Sequence, residues 1–165
     1  MGGYIFQDWD VNSQNIKARI IVVSFRLASL ATRNKFLSVV LTPYIIAYRI
    51  FIEFILGTEI NYKTKIGKNL RLFHAYSLVI NPDAVIGENC SIRHCTTIGN
   101  KLLKDGSLSK SPIIGNNVEI GSNVCIIGPI TIGDNVKIGA GSVVVKDVPP
   151  DCVVVGNPAR IILGK

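Results

Sequence analysis

Branched aliphatic residues fall at every sixth position from Ile114 onward, at Ile114, Ile120, Ile126, Ile132, Ile138 and Val144, often followed by glycine. A strict period of six matches neither the 3.6-residue repeat of a helix nor the two-residue alternation of a strand. It does match a chain wound into a triangular coil of three short strands, each turn adding one apolar residue per face to a continuous inner column. Counting backward, Ile60, Ile66 and Leu72 hold the beat, as do Ile80, Ile86, Ile92 and Ile98. Two interruptions are informative. Leu72 to Ile80 spans eight residues, so two extra residues bulge at one corner. Ile98 to Ile114 spans sixteen, so a loop of ten additional residues, within 100–113, leaves the coil. Turns therefore begin at Ile60, Ile80, Ile98 and Ile126, with a partial last turn at Val144. Glycine followed by Asn or Asp, as in Gly115-Asn116-Asn117 and Gly133-Asp134-Asn135, supplies corners where the backbone turns sharply, often with positive φ.

Residues 1–57 read as an N-terminal helical extension and 58–165 as the coil domain. From Asn15 to Gly57 the chain is rich in Ile, Leu, Val, Ala and Phe, with no six-residue beat and no glycine before Gly57. A first helix is predicted from Asn15 to Thr32 and a second from Pro43 to Leu56, with Pro43 in the first turn and Gly57 as the stop. Phe36 to Leu56 approaches the ~20 apolar residues that cross a bilayer. Arg49 and Glu53, four apart, argue instead for an ion pair on a water-facing or packed helix. Packing on the coil or a sister subunit is the expectation, and Arg19, Arg26, Arg33 and Lys35 keep contact with a membrane surface open.

The 165 residues are 48% hydrophobic, enough for one domain with a sizeable core and too apolar for disorder. A net charge of +7 suits an anionic partner such as nucleic acid, acidic lipid or a phosphorylated cofactor. The basic residues are dispersed and aromatics are only 7%, which argues against nucleic acid. Cys90, Cys95, Cys125 and Cys152 form no Cys-x-x-Cys pair, and the N-terminus carries neither a secretory signal nor the hydroxyl residue of a myristoylation site. A reduced, cytoplasmic protein is expected, with the cysteines as small apolar fillers of the coil.

The two histidines, His74 and His94, each stand two places after an inward aliphatic, Leu72 and Ile92. With the two-residue bulge absorbed between them, they belong on one edge in adjacent turns. An imidazole there can take the proton of a hydroxyl near neutral pH and return it to a leaving group, as acyl transfer to an alcohol requires. A three-histidine zinc site of the carbonic anhydrase kind is not available to a chain with two, so no metal is expected.

Ile114 through Arg160, with six hexads and the closing Gly156-Asn157-Pro158-Ala159-Arg160, resembles the hexapeptide acyltransferases. That resemblance implies a mainly β protein, a left-handed parallel β-helix, assembled as a homotrimer with acetyl-CoA as cosubstrate. Within the family, IGKNLRLFHAYSLVIN (Ile66 to Asn81) is similar to serine acetyltransferases and more closely to the colanic acid biosynthesis acetyltransferases. The closer likeness extends over nearly the whole chain, through Tyr48-Arg49-Ile50, His74-Ala75-Tyr76, Ile92-Arg93-His94 and Thr97-Ile98-Gly99-Asn100.

The resemblance gives His74 the role of general base, with His94 assisting, and puts Phe73, Tyr76, Arg93 and Lys110 on the acceptor side. The serine enzymes carry Asp where this chain has Phe73, and a second His before proline where it has Lys110-Ser111-Pro112. Without that carboxylate the site has less to offer an ammonium group, so a sugar hydroxyl, on a small-molecule or lipid-linked acceptor, is the expected substrate. Similarity to galactoside-type acetyltransferases places Ser122 and Ala140 along the pantetheine channel, Val145 and Lys146 at the CoA tail, and Arg160 at nucleotide phosphate. Gly139 and Gly141 flank Ala140 and would let a thioester approach backbone N–H groups able to stabilise an oxyanion. Serine O-acetyltransferase and a non-catalytic trimeric scaffold are the alternatives.

Overall fold

Inward aliphatics of successive turns pair directly in the computed structural model, which describes residues 2–162. On the first face Ile60, Ile80, Ile98, Ile126 and Val144 stand in parallel register. On the second, Ile66, Ile86, Ile114 and Ile132 do so, and on the third Leu72, Ile92, Ile120, Ile138 and Val154. Apart from half-buried Ile66 these side chains are buried, and they form one core column. The last turn is not partial: Val148 bridges to Ile132 and Val154 pairs with Ile138, so it reaches all three faces. Val148 follows Val144 by a step of four instead of six, a shortening the six-residue count could not accommodate.

Between the second and third faces the corner is held by Asn69, Asn89, Asn117, Asn135 and Asp151, all with φ between 56° and 60°. Short polar side chains tolerate this left-handed conformation. Here they also bond one another from turn to turn, at 2.8, 3.0, 2.9 and 2.8 Å. Glycine at the same corner answers to close approach: a Cβ on Gly87 would lie 2.5 Å from the Gly115 carbonyl oxygen.

The first turn presents an unpaired backbone edge, which would template further strand pairing if left bare. Side chains of the N-terminal extension occupy it. Asn12 donates to the Leu70 carbonyl (2.8 Å) and accepts from the Leu72 N–H (3.0 Å), in the manner of a neighbouring strand. Asp8 accepts from the Leu70 N–H, and Arg26 donates to the carbonyls of Ile66 and Gly67 at 2.7 and 2.6 Å. The Tyr48 hydroxyl donates to the Ile60 carbonyl (2.6 Å). Arg26, grouped above with surface cations, is therefore buried, 2.7 Å from Asp8. At the other end Arg160–Ile162 turns back antiparallel against Val153–Val155.

Asn15 caps the helix Ile16–Ser29, accepting from the Ala18 N–H, and Ala18, Ile21, Val22, Phe25 and Ala28 form its buried stripe. The second helical region begins earlier than Pro43, as Lys35–Val40 capped by Asn34, then continues as Thr42–Tyr48 with Pro43 in its first turn. Arg49–Ile55 closes it with wider π-helical turns, a departure no sequence pattern announced. Arg49 and Glu53 pair at 3.0 Å. Phe36, Val39, Ile46, Phe51 and Phe54 are exposed along this region. Among the described residues no helix is long and apolar enough to cross a membrane.

Candidate active site

The register of the third face sets up the site. Because Leu72, Ile92, Ile120 and Ile138 stack, the residues two places on, His74, His94, Ser122 and Ala140, occupy one corner in four successive turns. Backbone hydrogen bonds tie this edge together: Cys95 N–H to the Tyr76 carbonyl, Asn123 N–H to that of His94, and Gly141 N–H to that of Ser122. At ~4.8 Å per turn the edge runs about 14 Å from His74 to Ala140.

The two-residue bulge is resolved here. His74, Ala75 and Ser77 take φ of 65°, 48° and 51°, turning the chain through the extra residues before Leu78 resumes the beat. Positive φ is costly for non-glycine residues, and such conformations concentrate at functional sites. The His74 and His94 rings stand edge to face with centroids 5.5 Å apart. The Nδ1 of His94 is buried and has no hydrogen-bond partner among the described residues.

Two cavities flank the edge. A groove of about 960 Å³ runs along the third face, lined by Phe73, Arg93, Ser122, Gly139 and Ala140 among others. A smaller cavity of about 430 Å³ is lined by His74, Phe73 and Tyr76 together with Arg71, Asn15 and Lys17. Phe73 borders both, its ring in cation–π contact with the guanidinium groups of Arg71 (4.7 Å) and Arg93 (4.4 Å).

The structure thus gathers His74, His94, Phe73, Tyr76, Arg93, Ser122, Gly139 and Ala140 along one edge. Val145 and Lys146 lie beyond Val144, on the turn from the first face to the second, and both are exposed. Arg160 is exposed on the closing antiparallel strand, opposite Val155, and Lys110 is exposed on the extruded loop; none of these four lines either cavity. Of the cysteines, Cys90 fills the coil, but Cys95 does not. It is exposed at the corner after His94 with φ 58°, because the corner backbone there turns its side chain out of the column.

Lys17 and Arg71 escaped the sequence reading. Arg71 was within reach, since alternation about inward Leu72 sends its neighbours outward. Lys17 gave no signal, because its place depends on how the first helix docks on the coil. Its Nζ lies 2.9 Å from the centre of the Tyr76 ring. Among the described residues no group of three or more His, Cys, Asp or Glu side chains is placed to hold a metal ion.

Residues 111–146 match the family model described as bacterial transferase hexapeptide (six repeats). Over 161 residues the chain is 37% identical to WcaB of Escherichia coli K12, named as a colanic acid biosynthesis acetyltransferase, covering 95% of this chain and 98% of that one. The chain belongs to the hexapeptide-repeat acetyltransferases. Its fold is accordingly the left-handed parallel β-helix, and it is an acyltransferase. The soybean serine acetyltransferase structure complexed with serine superposes with a TM-score of 0.82 at 32% identity, over 97% of this chain and 68% of that one. A serine acetyltransferase in complex with CoA superposes at 0.74 with 27% identity, over 93% and 60%.

Proposed function

We propose that this acyltransferase moves the acetyl group of acetyl-CoA onto a sugar hydroxyl of an exopolysaccharide or capsule intermediate. One observation carries the reading: both imidazoles and the small residues Ser122 and Ala140 share a single edge, beside a cavity whose described lining includes Arg71 and Lys17 but no carboxylate. In this reading His74 removes the proton of the acceptor hydroxyl, whose oxygen attacks the thioester carbonyl. The tetrahedral oxyanion collapses, the carbon–sulfur bond breaks, and the CoA thiolate takes the proton from the imidazolium. Ser122, Gly139 and Ala140 border the pantetheine arm, with Lys146 and Arg160 as cations for its phosphates.

Serine is the rival acceptor, and Phe73 is the residue that weighs against it. An ammonium group gains from a carboxylate and loses beside guanidinium groups, and Phe73 is flanked by two. The deciding assay offers the enzyme acetyl-CoA with serine, sugar nucleotides and lipid-linked sugars, and detects the acetylated product by mass spectrometry. Acetylation of a sugar supports the reading; efficient turnover of serine alone rejects it. We further infer a homotrimer whose histidine edges face the clefts between coils, which light scattering would report as three times the 17.9 kDa chain. Its place would be the cytoplasm, where acetyl-CoA is available, with peripheral contact at the inner membrane face, tested by fractionation.

A further inference from the structure

The cavity beside His74 holds a cation with no evident employment. Lys17, in the first turn of the Ile16–Ser29 helix, has its Nζ buried and without a hydrogen-bond partner among the described residues. It stands over the ring of Tyr76, two residues from His74. A buried ammonium is costly unless charge or hydrogen bonds compensate it, and one aromatic face compensates only part. Burial accordingly holds the Lys17 ammonium below the ordinary lysine range.

No anion faces it among the described residues. The same cavity is lined by Arg71, Asn15 and Gln14, which can all donate, and by no carboxylate among the described residues. Asn12 and Asn15 are spent in part on the Leu70 and Leu72 backbone, which fixes the segment that carries Lys17 against the coil. Lysine and arginine converging on one hollow, a point charge and a planar fork, suit the tetrahedral oxygens of a phosphate.

We propose that Lys17 and Arg71 form a phosphate subsite for the acceptor, so that the sugar presented to His74 is joined to phosphate, as in a sugar nucleotide or a lipid pyrophosphate sugar. This rests on the sugar-acceptor reading above and narrows it. The phosphate is held at the end of the cavity formed by the N-terminal helix, and the hydroxyl is left at the imidazole end. Lys17 is a substrate-binding residue here and takes no part in proton transfer.

Two measurements test it on the full-length protein. In the first, inorganic pyrophosphate is titrated into wild type, Lys17→Gln, Lys17→Arg and, as a charge-matched control away from the cavity, Lys63→Gln. Binding should be weakened roughly 10-fold or more by Lys17→Gln, as loss of a charged hydrogen bond implies, and retained in Lys17→Arg and Lys63→Gln. Absent binding by wild type, or binding that Lys17→Gln leaves intact, overturns the subsite. In the second, Lys17→Gln should raise KM for the phosphorylated sugar with kcat and the KM for acetyl-CoA nearly unchanged. An unchanged acceptor KM, or a change confined to acetyl-CoA, also overturns it. Comparing a sugar nucleotide with a polyprenyl pyrophosphate sugar identifies the source of the phosphate. Turnover of serine and of no sugar would sink the proposed function, whereas the pyrophosphate titration judges the subsite independently of that result.

Discussion

His74 and His94, twenty residues apart in sequence, meet edge to face at 5.5 Å because one coil turn and one two-residue bulge separate them. If His74 is the base, His74→Ala should lower kcat about 10²- to 10⁴-fold, the usual worth of a positioned general base. His94→Asn should cost less, since the proposed mechanism gives that ring no proton to carry. Steady-state kinetics beside a size measurement checks both; an active His74→Ala enzyme of native size would remove the assigned role.

Glycines of the coil divide into those pressed by the next turn and those that are free. Gly87→Ala would drive a Cβ against the Gly115 backbone and should cost ~1–3 kcal/mol, the range for overpacking. Gly99 faces nothing within 4 Å, so Gly99→Ala should change stability by no more than ~0.5 kcal/mol. Denaturant melts of the pair would tell them apart.

Removing one partner of a buried ion pair strands the other. Asp8→Asn should leave Arg26 uncompensated beneath the first turn, at a cost of about 3–5 kcal/mol. The loss should appear as a lower midpoint in thermal or urea unfolding. A near-neutral result would mean that the carbonyls of Ile66 and Gly67 suffice for the guanidinium.

Thiol chemistry should report the coil directly. Cys90 is buried, its thiol donating to the Gly115 carbonyl (3.2 Å), and burial raises its pKa above the ordinary 9.0. The folded state therefore holds this proton when the unfolded chain has released it. Its contribution to stability is complete below pH 9.0 and is lost above it, as pH rises through the raised value of the folded state. Iodoacetamide near pH 8 should label exposed Cys95 first and reach Cys90 only in denaturant, as peptide mass mapping would reveal.

Much of the fold was legible because one side chain per hexad must point inward, so spacing alone assigns each residue to a face. The same count put His74 and His94 on one edge and located the extruded loop, whose Leu102 and Leu108 form a small antiparallel bridge. It failed where spacing carries no information. The shortened last turn breaks the count without warning, and neither the early helix start at Lys35, capped by Asn34, nor the widened turns of Arg49–Ile55 leave a mark on the six-residue spacing. Lys17, Asp8, Asn12 and Arg26 matter through contacts some forty to sixty residues away, which no local motif encodes.

The borrowed hydrogen bonds that dress the first turn have a counterpart in the reversed final strand. Between them they engage several of the peptide groups through which a further rung could be appended. A stack of this kind could otherwise lengthen by recruiting strands from other molecules, as fibrils do. Here the N-terminal extension and the closing strand act as partial stoppers at the two ends of the prism.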